Sequence, residues 1–73
     1  MNIYILRTKT KAGNAFYFRK ISRESFSVTL RPEMAKFFMY REIAEKYKEK
    51  NNLDSFKVVR VNQTEGVYNV VED

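Results

Sequence analysis

Residues 25–50 read SFSVTLRPEMAKFFMYREIAEKYKEK, and the fold turns on where in this stretch a two-residue hydrophobic period gives way to a helical one. Phe26, Val28 and Leu30 alternate with Ser25, Ser27 and Thr29, the pattern of a strand with one wet face. Pro32 lacks an amide proton and biases Arg31 toward extended geometry, so the strand stops before it. From Tyr40, the residues Tyr40, Ile43, Ala44 and Tyr47 recur at helical spacing, while Arg41, Glu42, Glu45, Lys46, Lys48 and Glu49 fill the other face. That spacing predicts an amphipathic helix running to about Lys50. Glu42 and Lys46 form a favourable four-residue pair, and Asn51 and Asn52 suit the C-terminal cap. The intervening EMAKFFMY admits two readings: a helix continuous from Pro32, or a turn and a short extended AKFF that bridges to the sheet before the helix starts. A continuous helix would place Met34, Ala35, Phe37, Phe38, Met39 and Tyr40 around more than one face, which favours the break.

Upstream, NIYILRTK at 2–9 has the β-branched and aromatic content of a strand, and AFYFRKI at 15–21 resumes it after KAGN at 11–14, where Gly13 and Asn14 tolerate positive φ. The two form a β-hairpin. Downstream, SFKVVRVN at 55–62 carries Phe56, Val58, Val59 and Val61, apolar on both faces and therefore suited to the inside of a sheet. NQTEG offers a turn, and VYNVV at 67–71 pairs as an edge strand or ends the chain as an acidic tail. The expected fold class is α+β: an antiparallel sheet of four to five strands in the order β-β-β-α-β, with or without a final β, packed on one amphipathic helix. Residues 1–62 form the single domain, and residues 63–73 its C-terminal hairpin strand or flexible acidic tail.

A chain of 73 residues with neither Cys nor His has no disulfide and no common zinc set to reinforce a core that at this size yields about 3–5 kcal/mol. A compact core or a second subunit has to supply the stability, so a homodimer is among the expected partners. No apolar run approaches the roughly 18–20 residues that span a bilayer, and the first strand lacks a signal peptide's apolar centre and cleavage site. No membrane partner is expected, and the protein reads as cytoplasmic. Its charge is uneven: residues 1–31 carry seven cations against Glu24 alone, whereas residues 54–73 carry two cations against four acids. A phosphate backbone or an acidic protein surface would meet the first half.

Catalysis is excluded mainly by composition. Without thiol or imidazole there is no common nucleophile–base pair, and the two glycines, Gly13 and Gly66, make no phosphate-cradling loop. Five of the nine carboxylates, Glu33, Glu42, Glu45, Glu49 and Asp54, fall on or beside the helix, where solvated surface explains them. No enzyme activity, cofactor or metal is expected. Binding chemistry gathers instead on NAFYFRK at 14–20, three rings followed by two cations. Aromatics at alternate strand positions stack on bases in RNA-recognition sheets, but those folds alternate strand and helix from the start and this chain does not. Phe16 and Phe18 share one strand face and are expected in the core against Ile43, Ala44 and Tyr47, leaving Tyr17, Arg19 and Tyr4 outside. Arg7, Lys9, Lys11, Arg19, Lys20 and Arg23, with Tyr17 as aromatic anchor, are therefore the candidate partner-binding residues. Exposed positions around Phe37, Phe38 and Met39 make a second contact surface. The acidic terminus is of opposite sign to the hairpin and suited to fold back over its cations.

The progression Ala35-Lys36-Phe37, then Glu42-Ile43-Ala44, then Val58, Val59 and Val61 resembles a layout found in short proteins of unknown function encoded by bacteriophages and prophages. The likeness covers roughly residues 1–62 and departs at Met39 and Tyr40, where a Ser, Thr or Asn helix cap is more usual. The resemblance implies a phage-type accessory protein that binds and modulates or inhibits a host protein, such as a polymerase or nuclease, in the host cytoplasm. The partner expected is thus a host protein with an acidic or nucleic-acid-binding surface. The alternative is direct binding of nucleic acid by the basic hairpin.

Overall fold

The chain described by the computed structural model, residues 1–23 and 25–71, runs through strands β1 (Asn2–Lys9), β2 (Ala15–Ile21) and β3 (Phe26–Thr29). A 3-10 turn at Pro32–Met34, helix α1 (Arg41–Lys50) and strands β4 (Lys57–Thr64) and β5 (Val67–Val71) follow. The strands make one antiparallel sheet in the order β3-β2-β1-β4-β5 with α1 packed on it, the expected α+β fold with the final strand present. Turn chemistry explains the hairpins. Gly13, at φ 88°, donates its N–H to the Thr10 carbonyl at 2.9 Å and closes the first. Glu65 and Gly66, at φ 48° and 81°, make the two-residue loop between β4 and β5, where both central residues must be left-handed to match the twist of the strands.

α1 begins after Tyr40, whose side chain makes no capping hydrogen bond, and ends as its sequence predicts. Asn52 takes φ 55°, its N–H donates to the Glu49 carbonyl at 3.2 Å, and Leu53 N–H donates to the Lys48 carbonyl at 2.9 Å. These are the paired bonds of a Schellman cap, with Leu53 buried beside Tyr47 to seal it.

Between β3 and α1 the broken reading of EMAKFFMY holds. β1 pairs with β4 from Asn2 to Arg7 but with β2 only from Arg7 to Lys9, because β2 swings away past Phe18, where a bulge shifts its register with β3. The segment 36–38 fills the opening. Lys36 N–H donates to the Phe18 carbonyl at 3.0 Å, and Phe38 exchanges both backbone hydrogen bonds with Tyr4 at 2.8 Å. The chain thus passes between β2 and β1, from Ala35 on one face of the sheet to Ala44 on the other.

That crossing gives the sheet a core on each face. Under α1 lie Leu6, Phe18, Phe38, Ala44, Leu53 and Phe56, with Phe18 in ring contact with Phe26, Tyr47 and Phe56 at 6.1, 5.7 and 5.8 Å. On the opposite face Ile3, Ile5, Tyr17, Val59 and Val61 close around Ala35. Burying a side chain of Phe18's size contributes roughly 1.5–3 kcal/mol. Two expectations are corrected here. Tyr17 is not an outward anchor but 8% exposed, because Ala35 and its neighbours cover the face that a one-helix sheet would leave wet. Ile43 is exposed and Phe16 only half-buried, so the helix meets the sheet through Ala44 and Tyr47. The tail expected to mask the hairpin ends in Glu72 and Asp73, which lie outside the described residues. Among those described, no helix is long and apolar enough to cross a membrane.

Candidate binding surface

In an antiparallel sheet register partners share a face and side chains alternate along each strand. Arg7 is opposite Tyr17 of β2 and opposite Lys57 of β4, so a buried phenol and two adjacent cations form one row across β2, β1 and β4, with Arg7 in the middle. Lys9, two residues along β1, shares that face. Arg7, Lys9 and Lys57 line a cleft of about 280 Å³ together with Thr8 and Ser55. Lys9 and Lys57 are exposed and Arg7 is half-buried. Like charges set directly opposite on a sheet are destabilising, so an anion between them would offset that repulsion as well as gain contacts. Arg7 and Lys9 each also have an interaction within the chain.

The other sequence-predicted residues are dispersed along the hairpins. Lys11 is exposed in the turn beside this cleft, between Thr10 and Asn14. Arg19 is exposed at the bulge, and Lys20 is exposed opposite Ser27. Arg23 sits in the β2–β3 turn, where Ser22 N–H donates to the Ser25 carbonyl at 2.7 Å. β2 separates Arg23 from the cleft by about 20 Å at ordinary strand rise. The single basic hairpin surface read from sequence is thus two groups at opposite ends of β2, Arg7, Lys9 and Lys11 at one and Arg23 at the other, with Arg19 and Lys20 between them.

Lys57 was missed. It opens the valine-rich strand and carries no local sign of function; only the register of β4 against β1 brings it to Arg7. Exposed apolar residues form a further feature. Phe37, Met39, Tyr40 and Ile43 stand out around the start of α1, and Phe38, expected with them, is buried. Lys36 Nζ lies over the Phe38 and Tyr47 rings at 5.5 and 5.3 Å, and the Arg41 guanidinium over the Tyr4 ring at 5.1 Å, so these cations help cover the helix-side core. A groove of about 380 Å³ between the β2–β3 turn and the end of α1 is lined by Ile21, Arg23, Phe26, Lys50 and Leu53 among others. Compared with protein-family models, with curated proteins and with solved structures, the chain matches none.

Proposed function

We propose that this chain is a small non-enzymatic binding module whose β1–β4 cleft engages a polyanion, the phosphate backbone of a nucleic acid. The observation that carries this reading is the convergence of Arg7, Lys9 and Lys57 with Thr8 and Ser55 on one cleft. Guanidinium, ammonium and hydroxyl groups are the donors that phosphate oxygens take. Tyr17, the aromatic anchor that protein docking would have used, is buried, which weakens the protein-directed alternative at this site. Three engaged cations give an affinity that falls with salt at a logarithmic slope of roughly −2 to −3 on duplex DNA.

A second reading is favoured by the exposed Phe37, Met39, Tyr40 and Ile43: a phage-type accessory protein that docks these residues on a host protein such as a polymerase or nuclease. Arg19, Lys20 and Arg23 would steer it there toward an acidic surface. The experiment that separates the two is anisotropy titration of labelled single- and double-stranded oligonucleotides at about 50 and 200 mM salt. Binding that weakens sharply with salt, and at least tenfold in Lys57→Glu, supports the cleft. No binding at the lower salt, or a Lys57→Glu variant that binds as the parent does, overturns it. If Arg19→Glu with Lys20→Glu removes binding and Lys57→Glu does not, the bulge and not the cleft is the site.

A further inference from the structure

β3 closes one edge of the sheet, and its backbone orientation follows from its neighbour. The Phe18 carbonyl is directed at Lys36, on the side away from β3, so the Phe18–Val28 register pair is one whose backbone groups do not meet. Val28 therefore turns its own N–H and C=O outward, to the open edge. The side chains there are apolar and alternate: Phe26 and Val28 of β3 are 47% and 40% exposed on the helix-side face of the sheet, and Leu30, one residue beyond the strand, continues the alternation in sequence and is 68% exposed. Uncovered apolar edges of this kind template strand addition.

The pattern is also its own complement. We propose that β3 pairs with β3 of a second copy of this chain, antiparallel about a two-fold axis through Val28. In that register Val28 meets Val28, Phe26 meets Leu30 of the other copy, and Leu30 meets Phe26, so the six apolar side chains form one stripe across the junction. On the other face Ser27 comes opposite Thr29 of the second copy. Ser27 Oγ is buried without a hydrogen-bond partner among the described residues, and hydroxyl pairs across strands are favourable. The symmetry keeps both α1 helices on the same side of a continuous ten-stranded sheet, twice the five of one copy. The other edge strand, β5, offers no comparable stripe, because its central residue on that face is Asn69. A junction of about five residues buries less than the roughly 1,200 Å² of a stable interface, so the dimer has a dissociation constant on the order of 10 μM or weaker.

Two measurements test this independently of the cleft. Sedimentation velocity should show the 8.8 kDa chain shifting toward twice that mass as concentration rises to about 1 mM, the range a weak interface requires. Because the chain has no cysteine, a mixture of Ser27→Cys and Thr29→Cys chains under mild oxidation reports the register. The mixed disulfide should exceed both self-disulfides well beyond the statistical proportion. Val28→Lys, which sets like charges opposite each other, and Leu30→Glu, at a more exposed position, should each abolish the mass shift with circular dichroism unchanged. A monomer throughout the concentration range, a statistical disulfide mixture, or dimers that persist in both folded variants would overturn the proposal.

Discussion

Phe18 is wholly buried and touches three other rings, so its truncation opens a cavity that no neighbouring strand can collapse to fill. Phe18→Ala should cost about 3–5 kcal/mol, which is close to the whole stability of a domain this size. The variant is expected to be largely unfolded at room temperature, and a urea titration followed by circular dichroism measures it; a loss below about 1 kcal/mol would place the core elsewhere. Glu65 makes the opposite case. It holds φ 48° beside Gly66 in a loop whose first position favours Asn. Glu65→Asn should raise the urea midpoint, with a gain of about 0.5–1 kcal/mol and no change in the slope of the transition. Lys57 is a third kind of residue: it is exposed, so Lys57→Glu is expected to leave the fold intact, and its effect on oligonucleotide binding tests the proposed cleft.

At the scale of the element, α1 starts without a side-chain cap because Tyr40 stands where Asp, Ser or Asn would accept an N–H from the first turn. Tyr40→Asp supplies that acceptor and a favourable charge at the helix N-terminus, and should stabilise the protein by about 1 kcal/mol, read as a higher melting temperature. Replacement of an exposed ring here also tests the second functional reading, since partner docking at the start of α1 would be lost while stability rises. The elements themselves were legible because each carries a local signature: period two in Phe26 to Leu30, helical spacing from Ile43 to Tyr47, and turn residues at Gly13, Asn52 and Gly66. What covers a sheet has no such signature. Alternation groups Phe16 with Phe18 and sets Tyr17 apart, but it cannot tell how many faces are buried. The cover over Tyr17 comes from Ala35, in a segment without periodicity that pairs with a strand some thirty positions away. Lys57 stayed hidden for the same reason, since its place beside Arg7 is a property of register between distant strands.

For the whole molecule, the pairing of β1 with β4 is the longest ladder and lies at the centre of the sheet, extended by Met1, whose amine donates to the Gln63 carbonyl at 3.0 Å. Hydrogen exchange should therefore be slowest at the amides that β1 and β4 share and fastest at the outward amide of Val28, which should slow as concentration rises if copies pair there. Uniform protection across the five strands would contradict that order. The partners in this central ladder lie 50 to 60 positions apart, from Arg7 with Lys57 to Asn2 with Asn62. During synthesis, then, the strand that will occupy the middle of the sheet emerges before the other four and stays without its longest neighbour until residues 57–64 have been made. The β1–β2 and β2–β3 hairpins can close early, but segment 36–38 has no complete seat until β1 is fixed, so both cores remain open until β4 arrives.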